Sequence, residues 1–208
     1  QAEDGIRDFC LSRGLGDVYK RQVLIMRTNV IVVDDFYSNP DDVRLFALQQ
    51  EFKQRGSYPG HRTSSFMNDG VKDTLSTMLR NAGGLVTNWN EDEGGSGSFE
   101  LAMAADRSWI HTDHYNTWAG IVYLNPDAPL SGGTGLFQYK KTGSFYANEL
   151  SGYESQDYTK WQLSDVIANR YNRLALYRSD QFHTSLDYFG NTKETARLFQ
   201  LFFITTEF

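Results

Sequence analysis

The spacing of apolar residues changes character along the chain, and each change marks an element. Asn29 to Phe36 (NVIVVDDF) is a short β-branched run that ends in acids, a strand closing in a turn. Ser38-Asn39-Pro40-Asp41-Asp42 follows: a capping side chain, a proline in the first turn and acids at the positive end of a helix. Val43, Phe46, Ala47 and Phe52 offer that helix one apolar face to about Phe52. Ser57 to Thr63 (SYPGHRT) reads as a loop. A second helix is predicted over Val71 to Asn81, closed by Gly83-Gly84. Asn90 to Ser98 is a polar, Gly-rich connection.

From Phe99 the period shortens to that of strands. They are predicted at Phe99–Ala104, Ser108–Thr112, Thr117–Leu124, Gly135–Tyr139, Arg173–Tyr177, Thr184–Tyr188 and Arg197–Thr205. Turn residues such as Asn125-Pro126, Ser131-Gly132-Gly133 and Gly190-Asn191 separate most of them. One helical insertion is predicted between the fourth and fifth, over Tyr153 to Asn169, on Trp161, Leu163, Val166 and Ile167. Two helices and then a run of strands make an α+β chain with a mainly β core, its sheets closing as a sandwich or barrel. No internal repeat or low-complexity tract interrupts it.

The 208 residues suffice for one sizeable core. Residues 1–25 are set apart as a non-native or disordered N-terminal extension, because they are polar and without sustained period; SRGLGDVYKRQ resembles translated adaptor sequence. Met26 is the expected native start, and 26–208 the single domain. The N-terminal stretch lacks the apolar centre of a secretory signal, so a cytoplasmic setting is expected. Cys10 is the only cysteine, which excludes an internal disulfide and a Cys-based zinc site. No apolar run approaches the ~20 residues of a membrane span. A net charge of −6 disfavours nucleic acid and anionic membrane surfaces as partners. Nothing in the sequence addresses oligomeric state. The 14 Phe, 12 Tyr and 4 Trp suit strands, and also the walls of an organic-ligand pocket.

Among the histidines His61, His111, His114 and His183, the triplet His111-Thr112-Asp113 is the informative one. Side chains two apart on a strand share a face, so an imidazole and a carboxylate reach one ion from one strand. His183 is a candidate third ligand from elsewhere in the chain. Two His and one carboxylate on one side of an octahedral ion leave positions open for oxygen chemistry at Fe(II). H-x-D alone is a weak signal, because an isolated His is more often an ordinary surface or core residue.

WIHTDHYNTWAGIVYLN (Trp109–Asn125), GGTGLFQY (Gly132–Tyr139) and NRLALYRSDQFHTSLDYFGNTKETARLFQLFFI (Asn172–Ile204) together resemble the Fe(II)/2-oxoglutarate-dependent dioxygenases, in particular the prolyl-hydroxylase-like branch. The resemblance is strong over the C-terminal half and loose before it. It implies a double-stranded β-helix of the jelly-roll or cupin-like kind, with the N-terminal helices packed on one sheet. It implies a metal site of His111, Asp113 and His183, with Fe(II), 2-oxoglutarate as co-substrate and O2. It implies that Arg197 holds the far carboxylate of 2-oxoglutarate with help from Tyr123, and that an unidentified small molecule or protein side chain is hydroxylated.

Arg197 opens an alternating face with Phe199, Leu201 and Phe203, so it would point into the barrel over an apolar floor. Three departures stand beside this. Arg197 lies fourteen residues after His183, somewhat beyond the common spacing; Lys193 is the competing cation; and Phe199 stands where some members carry a hydroxyl. Asp113 is intact, against halogenase chemistry.

Arg62, in a lip from Tyr58 to Thr63, and His114 are candidate substrate contacts; the plainer readings are a turn and a surface histidine. Trp109 and Trp118 read as core or pocket walls, and Asp180 and Gln181 as residues able to orient His183. The alternatives to an oxygenase are a non-catalytic binding module, and a cupin-like metal protein that uses no 2-oxoglutarate.

Overall fold

The computed structural model describes residues 27–92, 95–147 and 154–207. The extension over 1–25 and Cys10 lie outside them. Strands β1 (Val30–Val33), β2 (His61–Ser65), β3 (Leu85–Asn88), β4 (Ser98–Ala102), β5 (Trp118–Tyr123), β6 (Thr134–Tyr139), β7 (Trp161–Ile167), β8 (Leu174–Arg178), β9 (His183–Ser185) and β10 (Arg197–Glu207) form two sheets. The larger runs β1-β8-β5-β10-β4-β2, with β3 also on β10; the smaller is β7-β6-β9. All of these pairings are antiparallel. Helices α1 (Pro40–Gln49) and α2 (Asp69–Arg80) lie between the first strands in sequence. No helix among the described residues is long and apolar enough to cross a membrane.

The start of α2 is written in its sequence. Asn68 stands at the N-cap and its side chain accepts from the Val71 N–H at 3.1 Å, and Asp69 lies in the first turn. Val71, Leu75 and Leu79 recur every four residues and are buried. They join Ala47 of α1 in one cluster with Phe99, Leu101, Trp118, Val122, Leu176, Leu198 and Phe202 of the large sheet. The other face of that sheet contributes Ala119, Ile121, Tyr123, Ala175, Tyr177, Phe199 and Leu201 to a second cluster, with Leu136 and Ile167 of the small sheet. With both faces covered, β5 is buried at every position, and its sequence shows a continuous apolar run instead of alternation.

Several elements differ from those expected. α1 ends at Gln49, short of Phe52. The loop expected over Ser57 to Thr63 gives way at His61 to β2, which β4 recruits through the pairs His61↔Leu101 and Arg62↔Glu100. A polar strand of this kind lacks the apolar period that signals one. Ser108–Thr112 is no strand: only His111 pairs, in an isolated bridge to His183, and the Asp113 N–H turns to the Ser179 carbonyl. The helical insertion is instead a short 3-10 turn at Tyr158–Lys160 followed by β7. A register shift where β7 meets Leu136 and Phe137 inserts one residue, so the spacing of Trp161, Leu163, Val166 and Ile167 departs from two and imitates a helix.

Candidate metal centre

The inner face of the large sheet floors a cavity of about 630 Å3, open mouth included, and the small sheet covers it. Arg197, Phe199, Leu201 and Phe203 line it from β10 in strict alternation. Ala119 and Ile121 line it from β5, Tyr177 from β8, and Thr134, His183 and Ser185 from β6 and β9.

His111 and His183 exchange two main-chain hydrogen bonds of 3.0 and 2.9 Å, so they stand directly opposite one another. Ile110, fully buried among Phe137, Tyr139, Trp161 and Phe182, faces away and anchors the segment. His111 Nδ1 lies 2.9 Å from the Trp109 carbonyl and His183 Nδ1 2.9 Å from the Gln181 carbonyl. A carbonyl only accepts, so each Nδ1 carries a proton and each Nε2 is left to face the centre. One donor atom from each of His111, Asp113 and His183 lies within 4.8 Å of the others, and His183 Nε2 is 3.2 Å from Asp113 Oδ2. A bare imidazole lone pair and a carboxylate repel at that distance, so a cation, either a proton or a metal ion, belongs between them. Burial, with the neighbouring His183, lowers the His111 pKa to about 4. Burial would raise that of Asp113, but the His183 hydrogen bond and the positive charge around it, Arg62 included, outweigh this and hold it below its ordinary value. A neutral His111 and an ionised Asp113 are the protonation states a metal requires.

Arg197 is fully buried in the same cavity. Its Nε donates to the Gly132 carbonyl at 3.1 Å, its Cζ lies 4.5 Å from the Phe199 ring centre, and Nη1 and Nη2 have no hydrogen-bond partner. A buried guanidinium with two idle donor groups is costly unless an anion meets it. Lys193 is turned elsewhere, donating to the Gln50 carbonyl at 2.8 Å above the Phe52 ring. The Tyr123 hydroxyl lies 2.8 Å from Thr134 Oγ1 and donates toward the Ile167 carbonyl at 3.3 Å; Thr134, in front of it, lines the cavity.

Arg62 lines the cavity from β2, stacked 3.7 Å above the Tyr58 ring and bonded through Nε to Glu100 Oε2 at 2.6 Å. His114 is not brought to the cavity: it is exposed and stacks on the equally exposed Tyr115. Trp109 lines the mouth, whereas Trp118 is buried in the cluster against the helices. Gln181 orients His183 through its main-chain carbonyl, while Asp180 pairs with Arg27 and Arg178. Sequence reasoning missed Glu100, Tyr177 and Tyr188, all lining the cavity. For Glu100 a signal existed: one charge inside the apolar strand FELA.

The fold, two antiparallel sheets enclosing a cavity, is shared with solved structures of Fe(II)/2-oxoglutarate oxygenases and related enzymes. HygX from Streptomyces hygroscopicus, crystallised with nickel and 2-oxoglutarate, is similar at a TM-score of 0.60 and 11% identity, over 94% of this chain and 87% of that one. The epimerase SnoN of nogalamycin biosynthesis, in complex with Fe3+, α-ketoglutarate and nogalamycin RO, gives 0.55 at 12% identity, over 95% and 84%. A prolyl hydroxylase from Trichoplax adhaerens, in complex with a peptide of hypoxia inducible factor, gives 0.52 at 12% identity, over 98% and 94%. By sequence the chain belongs to a family of unknown function, DUF6445, whose model matches residues 17–151. No curated protein matches it in sequence.

Proposed function

We propose that the chain is an Fe(II)- and 2-oxoglutarate-dependent oxygenase, a hydroxylase in its simplest outcome, acting from a single domain within residues 26–208. The observation that carries this is Arg197, a buried guanidinium with two unsatisfied donor groups, in the cavity where His111, Asp113 and His183 converge. The three donors suit a divalent metal with open positions, and a planar fork of N–H groups suits a carboxylate. Together they are the two ends of a site for a dicarboxylate that chelates a metal.

Under this reading His111 Nε2, His183 Nε2 and one Asp113 oxygen hold Fe(II). Arg197 takes the far carboxylate of 2-oxoglutarate, with Thr134 beside it and Tyr123 behind Thr134. When bound, the iron and 2-oxoglutarate supply the oxidation: one oxygen atom of O2 enters succinate as CO2 leaves, and the other enters a C–H bond of the substrate. This chain's residues position and shield. The Trp109 and Gln181 carbonyls keep the histidines in one tautomer. Phe199, Leu201, Phe203 and Tyr177 exclude water from the space between the metal and Arg197.

The test is anaerobic titration of the metal-free protein with Fe(II), then 2-oxoglutarate, monitored by visible absorption. A band that needs both additions and is lost in Asp113→Ala is expected. Iron binding without that band overturns the 2-oxoglutarate assignment and leaves a cupin-like metal protein.

A further inference from the structure

The cavity has three polar poles in walls that are otherwise largely aliphatic and aromatic. The metal ligands form one and Arg197 the second; the third is the Arg62–Glu100 pair. Resting on the oxygenase reading, we infer that this third pole anchors the primary substrate: Glu100, held by Arg62, accepts a hydrogen bond from an amine or hydroxyl on a small polar molecule.

Glu100 sits at the middle of β4 and is 3% exposed, yet it lines the cavity. The registers Arg62↔Glu100, Glu100↔Phe199 and Phe199↔Tyr123 set four side chains in one row across β2, β4, β10 and β5. Residues directly opposite one another share a face, so the whole row looks inward, at the substrate space. Arg62 bonds one carboxylate oxygen, Oε2, through Nε; no other donor reaches Glu100 among the described residues. An ionised carboxylate has about four acceptor sites, and a buried one is costly until they are used. Burial raises the Glu100 pKa despite Arg62 beside it, in keeping with this incomplete satisfaction. What completes it must donate.

The pole is a built feature. Arg62 is fixed by Tyr58 below it and by Glu100, with the Phe203 ring centre 5.6 Å away, so the carboxylate is held in place before any ligand arrives. Its neighbours Phe199 and Phe203 offer apolar surface for a carbon skeleton next to the donor group. Glu100 is thus a specificity residue and takes no part in holding metal or co-substrate.

The test uses pentan-1-amine, pentan-1-ol and pentanoate, probes that differ only in their end group. Saturation-transfer NMR on the full chain records each against wild type and Glu100→Gln. In wild type the amine or the alcohol should receive saturation, strongest on the CH2 beside its polar end, which would lie among the Tyr58, Phe199 and Phe203 rings. In Glu100→Gln, which can still accept a hydrogen bond but no longer carries the charge, that signal should fall about three- to ten-fold, while pentanoate binding persists and shows the cavity intact. Whichever of the amine and the alcohol responds identifies the donor. Should Glu100→Gln fail to fold, Glu100→Asp keeps the charge beside Arg62 and withdraws it by one methylene, and must show the same selective loss. Absence of amine and alcohol binding in wild type, or binding indifferent to Glu100, overturns the inference. The probes need neither metal nor 2-oxoglutarate. A visible band without Glu100-dependent binding therefore defeats only this inference, and the reverse pattern defeats only the oxygenase reading.

Discussion

His111 links main-chain geometry to protonation. Its backbone is locked to His183 and its Nδ1 to the Trp109 carbonyl, so the ring is held half-buried and neutral, with a pKa lowered from 6.5 to about 4. Between those values the unfolded chain binds a proton that the folded chain refuses. For the metal-free protein, the His111 contribution to stability is therefore present above pH 6.5 and lost as pH falls toward 4. Glu100 acts in the opposite sense: its raised pKa means the folded chain keeps a proton that the unfolded one gives up, a contribution that weakens as pH rises. The melting temperature of His111→Gln should thus depend less steeply on pH between 4 and 6.5 than that of wild type, as calorimetry across that window would record. An unchanged slope would mean that His111 titrates normally in the folded chain. At Arg197 the expectation inverts the usual one for a buried residue. Arg197→Met removes an unsatisfied charge, so the ligand-free protein should melt at least as high as wild type, while 2-oxoglutarate binding weakens by about 2–5 kcal/mol and iron binding survives. A clear drop in melting temperature would show that the guanidinium is already satisfied by the fold.

At the scale of elements, legibility followed the strength of local signals. The capped, four-residue-spaced α2 and the alternating start of β10 could be read directly, since each carries its period in its own residues. β2 and β7 could not. His61–Ser65 has no apolar period and becomes a strand because β4 offers it a pairing edge; β7 carries an extra residue at its register shift. β2 also shows how an element delivers a residue to the site. Gly60, at φ +71, turns the chain into it, and a Cβ there would sit 2.2 Å from the Leu101 carbonyl. Gly60→Ala should destabilise the protein by about 1–3 kcal/mol in denaturant unfolding, with iron binding retained because none of the three ligands comes from this turn or from β2. Wild-type stability would show that the turn relaxes freely.

At the scale of the whole molecule, the site is a meeting of distant segments. His111 and Asp113 come from an irregular segment, His183 from β9 of the small sheet, Arg197 from β10 of the large one, and Arg62 and Glu100 from strands far earlier in the chain. The H-x-D spacing, a distal histidine and a basic residue opening an alternating strand were visible in the sequence, because they depend on residue type and on the two-residue period. So was the mainly β character of the C-terminal half. Pairing and packing decided the rest. That Arg197 and not Lys193 lies in the cavity came from which side chain the large sheet turned inward, and His114 was left in solvent by a turn. The union of Arg62 with Glu100 came from an antiparallel register between strands 38 residues apart. Local sequence sets the face a side chain takes within its element; which faces then confront one another depends on long-range pairing, which no short window of residues encodes.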